Sequence, residues 1–314
     1  MQIVPFEKEF LPDAAALFAE KFKVQREAVP SLPDTMGQVD GVIEKLGYLA
    51  GDALVAVEQG KLIGYLGAYL IPGFRGTSRK AAYCPEWGHG AADAAVYRAL
   101  YRAAAERWTA EGCTTHGISV LATDHAAENV WYWSGFGLTV VDAVRPITPL
   151  NVAAPTGYTV RQATRADAER LAEIEAEHWQ HYRRSPVFMM SEDNDDAAGF
   201  VKLLENPNNG VWVAENGPTI LSYMRFEGSS FGAADIVNDA KTTAITGAYT
   251  RPAYRGQGAA VVLLDAALHD YAARGYARCA VDFESLNPEA AYFWMKYFQP
   301  VNYSLLRMPE ALLG

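Results

Sequence analysis

The sequence predicts an α/β protein of two similar halves, each a mixed sheet flanked by helices, and three observations carry that reading. Short runs of β-branched and aromatic residues alternate with amphipathic stretches along all 314 residues. The same order of elements occurs twice. Between the two occurrences lies "RPITPLNVAAPTGYTV" (145–160), which holds Pro146, Pro149, Pro155 and Gly157 and no helical period. It reads as a linker. The expected boundaries are 1–145 for the first domain, 146–157 for the linker and 158–314 for the second domain.

Each half opens with a short strand, a polar turn containing Asp, and an amphipathic helix. These are "IVPFEKEFLPDAAALFAE" from Ile3 and "YTVRQATRADAERLAEIEAE" from Tyr158. A strand then turns at Glu-x-Gly, in "ALVAVEQGKLIGYLGAYL" and again in "GVWVAENGPTILSYMRFE". Next, a glycine turn enters a helix that stops near Gly112 in one half and near Gly275 in the other. A strand, a helix with an aromatic cluster and a closing strand complete each half. The offset between matching positions drifts by loop-sized amounts, as expected of a diverged duplication and not of a solenoid.

Composition narrows the function. At 50% hydrophobic, the chain can bury two cores. Lys+Arg total 27 against Asp+Glu 37, a net charge of -10. That balance opposes nucleic acid and anionic membranes and weakly favours a cationic ligand. The acidic stretch Glu192 to Asp196 reads as a solvated loop. Cys84, Cys113 and Cys279 are odd in number and far apart, so reduced thiols in a cytoplasmic protein are expected. The N-terminal "MQIVPFEKEF" has no apolar signal core, and no run is long enough to span a bilayer. His89, His116 and Cys84 fit no metal-ligand spacing; the histidines read as core hydrogen-bonding groups and no metal is expected.

The chemistry concentrates in "RPAYRGQGAAVVLLD" (251–265). "ITGAYT" (245–250) before it reads as a strand, ended by Arg251-Pro252. Val261, Leu264, Leu268 and Tyr271 after it mark one helix face. A helix's first turn leaves N–H groups unpaired at the positive end of its dipole. Small residues at 256, 258 and 260 let an anion approach those amides, and Arg255 adds charge, which suggests a phosphate or pyrophosphate site. No Gly-Lys-Ser/Thr follows, so the loop is not a Walker loop, and the dinucleotide fingerprint is incomplete. Downstream, "CAVDFESLN" (279–287) reads as a strand and "PEAAYFWMKYF" as a helix, with Asn287 as its N-cap and Pro288 at the first position.

This order, with R-x-x-G-x-A at 255–260 and N-x-x-A at 287–290, resembles the GNAT superfamily of acyl-CoA-dependent N-acetyltransferases. The resemblance covers residues 158–308 well and residues 1–145 in outline, a layout similar to tandem-GNAT proteins. It implies a mostly antiparallel sheet in each domain and acetyl-CoA as co-substrate. It places the pyrophosphate on Arg255, Gly256, Gln257, Gly258, Ala259 and Ala260, pantetheine along Ala248, Tyr249 and Thr250, and the CoA arm beside Asn287. A backbone N–H of the 245–250 strand would serve as oxyanion donor. For the base, Asp282 is a candidate, with Glu284 on the same strand face; each reads equally as a substrate anchor or a solvated carboxylate. Relatives often place an acidic tyrosine seven residues after the asparagine. Here Trp294 stands there, leaving Tyr297, Tyr303 or water as the acid. The expected acceptor is an amine on a small molecule or peptide. A non-catalytic CoA-binding sensor is the alternative, and pairing of chains into dimers stays open.

In the first half, "CPEWGHGAADAAVYR" (84–98) looks like a retired copy of the loop, with Trp87 in place of Arg255 and turn residues Gly88, Gly90 and Ala92 kept. His125 stands in place of Asn287, and Tyr132 falls where the family's acid belongs. The expectation is a degenerate domain that shapes the acceptor cleft. The aromatic clusters Trp131, Tyr132, Trp133 and Tyr292, Phe293, Trp294 read mostly as core.

Overall fold

A computed structural model describes residues 1–49, 51–153, 156–190 and 195–310. Linker residues 154–155 and residues 192–194 of the acidic stretch lie outside the described residues. The chain forms two compact units. Unit 1 comprises Met1–Asp142, Ala234–Asn238 and Gln299–Gly314, and unit 2 comprises Ala143–Ala233 and Asp239–Phe298.

Unit 1 begins with β1 (Gln2–Pro5), α1 (Leu11–Ala28) and α2 (Val39–Gly47). The strands β2 (Leu54–Glu58), β3 (Lys61–Leu66), β4 (Tyr69–Ile71), β5 (Ala81–Cys84) and β6 (His89–Ala91) follow. Then come α3 (Ala94–Ala110), β7 (Thr115–Leu121), α4 (His125–Trp133) and β8 (Gly137–Pro146), whose residues from Ala143 belong to unit 2. Unit 2 continues with β9 (Thr159–Gln162), α5 (Ala168–Tyr182), α6 (Ala197–Glu205), β10 (Gly210–Asn216), β11 (Thr219–Glu227) and β12 (Thr242–Thr250). It closes with α7 (Ala259–Ala273), β13 (Arg278–Glu284) and α8 (Pro288–Tyr297). The last strand, β14 (Gln299–Arg307), belongs to unit 1.

In unit 2 the strands run in the order β13-β12-β11-β10-β9, all antiparallel except the β12–β13 pair. Unit 1 has two sheets where one was expected. One is antiparallel, β1-β2-β3-β6; the other runs β4-β5-β7-β14 with β8 beside β14. The split has a local cause: Pro85 to Gly88 interrupts the strand that β12 makes in one piece, leaving β5 and β6 on different sheets. Proline cannot continue a ladder.

The unit bounds also differ from the expected ones. Residues 299–314 group with unit 1, because β14 pairs antiparallel with β7 from Asn302↔Leu121 to Arg307↔His116. The described part of the linker is anchored in unit 2. The Asp265 carboxylate on α7 accepts hydrogen bonds from the amides of Leu150 (2.6 Å), Asn151 (3.0 Å) and Val152 (3.1 Å). Replacing Asp265 with Ala would leave three amides without this acceptor. We expect a loss of about 2 kcal/mol, readable as a lower urea midpoint at an unchanged slope.

The α3 face built from Val96, Tyr97, Leu100, Tyr101, Ala104 and Trp108 is buried at spacings of three and four, as an amphipathic helix requires. It packs with Trp131 and Phe136 in the core of unit 1. Their rings meet mostly edge to face, Tyr101–Phe136 at 5.2 Å and Tyr97–Trp131 at 5.3 Å. The two histidines behave as core groups. His89 bonds the Tyr97 hydroxyl and the Ser119 carbonyl, and His116 bonds the Tyr101 hydroxyl. Burial lowers each ring to about 4, so both are neutral. All three thiols are free and buried. Among the described residues no cluster fits a metal ion, and no helix is long and apolar enough to cross a membrane.

Candidate functional site

Strand β12 is the organising element of unit 2. It pairs with β13 only from Thr242↔Arg278 to Ile245↔Val281. Beyond that point β12 runs on to Thr250 and β13 to Glu284, with no further register between them among the described residues. On its other side β12 stays paired with β11, but the register slips at Arg225/Phe226, leaving Thr246 as the extra residue of a bulge. On the β13 side, backbone groups of β12 after Ile245 therefore meet no ladder among the described residues.

A cavity of about 500 Å³ lies along this stretch. Its wall includes Ala248, Tyr249 and Thr250 from β12, Arg255, Gly256, Gly258, Ala259 and Ala260 from the loop and helix start, and Asn287 and Tyr297 from the α8 side. Four residues singled out from the sequence, Gln257, Asp282, Glu284 and Tyr303, are not on this wall. Gln257 turns its amide back onto the Ala253 carbonyl (3.0 Å), and Asp282 lies half-buried on β13. Four aromatic or imidazole groups that sequence reasoning passed over do line the cavity: His178, His181, Tyr223 and Tyr254.

The loop leaves the start of α7 without a side-chain cap. Gly258 is the N-cap of α7 in left-handed backbone (φ +84°), where a Cβ is strained, and no side chain among the described residues caps the helix. The first-turn amides of α7 therefore keep their donors for a ligand. Arg255 stands beside them, its Nε donating to the Thr250 carbonyl (3.0 Å) and one terminal nitrogen to Glu289 (3.1 Å). Its guanidinium lies 5.6 Å from the Tyr249 ring centre. Asn287, only 5% exposed, caps α8 through a bond from the Ala290 amide (3.4 Å). It also bonds His181, whose pKa is lowered by burial first and then by the Arg255 charge.

Residues 158–298 match the acetyltransferase (GNAT) family. The matched stretch is a GNAT acetyltransferase domain. Its activity is acetyl-CoA-dependent transfer, and acetyl-CoA is its co-substrate. Among solved structures, a GCN5-related N-acetyltransferase from Sphaerobacter thermophilus aligns at TM-score 0.61 and 12% identity, over 98% of this chain and 95% of that one. A tandem GNAT protein from the clavulanic acid biosynthesis pathway aligns at 0.51 and 15% identity over 98% of both chains. A glucosamine N-acetyltransferase region of a fungal multi-domain GH3 β-N-acetylglucosaminidase aligns at 0.55 and 13%, over 97% of this chain and 38% of that one. At these identities the likeness is one of fold, and the fold is the tandem GNAT arrangement. No curated protein sequence matches.

Register between the two GNAT-like units corrects the reading of the first half. Both second-strand pairs slip at the same place, Ala56/Val57 and Ala214/Glu215, which equates Tyr65 with Tyr223. Tyr65 opposes Gly90, and Tyr223 opposes Tyr249. Gly90 therefore sits on the strand, in place of Tyr249, and "WGHGAA" is no copy of "RGQGAA". Gly88 closes a turn with Pro85, its amide donating to the Pro85 carbonyl (2.8 Å), and Gly90 lies on β6, so the two do not form one loop into α3. They are glycine because a Cβ at Gly88 would sit 3.0 Å from the Cys84 sulfur, and one at Gly90 3.1 Å from Leu17 Cδ2. The loop itself is missing: only Ala92 and Asp93 separate β6 from α3, where residues 251–258 separate β12 from α7.

Three more assignments change. Asp93 caps α3, its carboxylate accepting from the amides of Ala95 (2.7 Å) and Val96 (3.0 Å), so a negative group already occupies that helix start. The counterpart of Asn287 is Asp124, the N-cap of α4, and not His125, which is exposed. Counting from that cap, Trp131 matches Trp294, and both are buried. Tyr132 lies one residue later and is exposed, so neither unit has tyrosine at the position of the family's acid.

Proposed function

We propose that the C-terminal domain moves the acetyl group of acetyl-CoA directly to a primary amine, on a small cationic molecule or a peptide. The observation that carries this reading is the continuity of two features in one cavity: the uncapped start of α7 and the unpaired reach of β12 after Ile245. The first suits a pyrophosphate and the second an amide-bearing arm, so a CoA thioester would be held at both ends of one groove. Loop residues 255–260 and Asn287 would hold the cofactor's phosphate side, and Ala248, Tyr249 and Thr250 its arm. A β12 amide near the bulge would donate to the tetrahedral oxyanion. Tyr297, on the cavity wall, is the acid candidate for the leaving thiolate. Asp282 lies off the wall, and the proposal gives it no part in the transfer.

Unit 1 is proposed as a degenerate copy that does not hold CoA, since it lacks the loop and its α3 start carries Asp93. Calorimetric titration with acetyl-CoA, followed by thiol release in the presence of primary amines, tests both statements. One site per chain and amine-dependent thiol release are expected. Two sites would restore unit 1 as a binder, and thiol release that no amine accelerates would sink the transferase reading.

A further inference from the structure

The cavity wall carries a buried polar relay to which the family resemblance assigned no role. Glu175 and His178 lie on the inward face of α5, one turn apart, each 5% exposed, and Tyr223 on β11 is 1% exposed. The Tyr223 hydroxyl donates to Glu175, and its oxygen lies 2.8 Å from His178 Nδ1. Trp179 Nε1 donates to the other Glu175 oxygen at 3.0 Å. The His178 ring stacks on Tyr249 of β12, centres 5.3 Å apart, against the strand the thioester would follow.

Hydrogen-bond arithmetic settles where the imidazole proton sits. An ionised carboxylate only accepts, so Tyr223 gives its one proton to Glu175. Tyr223 oxygen must then accept from His178, which puts the ring proton on Nδ1. Nε2 keeps its lone pair and is the nitrogen left for the cavity that His178 lines. Burial pushes the Glu175 carboxyl up, but the hydrogen bond and charge that a protonated His178 offers it, the Tyr223 hydrogen bond and the Arg225 charge outweigh burial and hold it below its ordinary value. A carboxylate so placed stabilises the ring once it takes a proton.

We propose that His178 is the general base of the transfer, held with its proton on Nδ1 by Tyr223 and Glu175 so that Nε2 accepts a proton from the acceptor ammonium. The proposal rests on the amine-acetylation reading above. In the step, the ammonium gives one proton to Nε2 and the freed nitrogen pair bonds to the thioester carbonyl carbon. The C–S bond then breaks with its pair on sulfur, the thiolate takes the Tyr297 hydroxyl proton, and the second nitrogen proton restores Tyr297. The charged and titratable groups around the ring are Glu175, His181 and Tyr182 on its own helix, Tyr223 and Arg225 on β11, and Tyr249 on β12 with Arg255 beyond it. Unit 1 offers an internal contrast: Tyr65, at the Tyr223 position, gives its proton to the Trp87 carbonyl.

The test uses the full chain labelled with nitrogen-15. Long-range proton–nitrogen correlation near neutral pH, with His178→Gln identifying the ring, should show the proton on Nδ1, and Tyr223→Phe should release that preference. A ring carrying its proton on Nε2 overturns the proposal. Thiol release from acetyl-CoA with spermidine, glucosamine or a lysine peptide should fall about 100-fold in kcat for His178→Gln, the scale of general-base catalysis. The KM for acetyl-CoA should hold. Tyr223→Phe should fall less, with the fold intact and a lower melting temperature, since it leaves the buried Glu175 and His178 one partner short. Wild-type rates in His178→Gln would remove His178 while leaving the transferase reading intact. Wild-type chain that binds acetyl-CoA yet serves no amine would remove both.

Discussion

Gly258→Asp abolishes most acetyl-CoA binding and leaves the fold in place; that is the expected result at the cofactor loop. A Cβ at Gly258 meets no heavy atom within 4 Å, so the cost is confined to its left-handed backbone. Asp tolerates that conformation better than most residues, at roughly 1 kcal/mol. Its carboxylate would then place a negative charge at the α7 start, where the pyrophosphate charge belongs, as Asp93 does at α3. Losing the helix-start interaction and adding repulsion together should cost about 2–3 kcal/mol, on the order of 100-fold in Kd. Gly258→Asn has the same shape without the charge and should lose much less. Calorimetry with acetyl-CoA reads both variants. Unchanged affinity in a well-folded Gly258→Asp would move the pyrophosphate elsewhere.

The second large effect is on stability and arises in unit 1. Glu86 is 3% exposed and accepts a hydrogen bond from the Ile236 amide (3.0 Å). Burial, then the Asp235 charge, raises its pKa to about 8. The unfolded chain releases that proton near pH 4.3, so between about 4.3 and 8 the native state holds a proton that the unfolded state lacks. The unfolding free energy therefore falls as pH rises through this window, by up to about 1.4 kcal/mol per unit. The contribution is fully present below about 4.3 and lost by the time pH passes 8. Glu86→Gln keeps an acceptor for Ile236 and cannot ionise. Its melting temperature should match wild type near pH 5 and exceed it by about 5–10 °C at pH 8, for a loss of a few kcal/mol in wild type. An advantage of the same size at both pH values would mean that Glu86 does not titrate in this window.

Particular elements show how much was legible in one dimension. The α7 face at Val261, Leu264, Leu268 and Tyr271 was readable because helix periodicity is local, and the end of β12 at Thr250 because Arg251-Pro252 follows it. Asn287 was readable as a cap because cap, proline and apolar run sit side by side. The "WGHGAA" reading failed for the opposite reason. Two glycines before an apolar helix look the same whether they lie on a loop or a strand, and only pairing with Gly64 to Leu66 decides. The relay left a fainter trace: Glu175 and His178 are polar residues at i and i+3 on a face otherwise apolar, a signal that many solvated helices share.

The sequence by itself determined the class, the doubling of the fold and the order of strand, glycine loop and helix over residues 242–273, because composition, periodicity and turn chemistry act over a few residues. Only the tertiary structure decided that β14 joins the first unit, that α3 starts under the Asp93 carboxylate, and that His178 and Tyr223 line one cavity with Glu175 bonded to Tyr223. Those facts depend on which strand edge is free to pair and which distant side chains share a buried volume. Hydrogen bonds and burial act through space, and the order of residues along a chain does not record them.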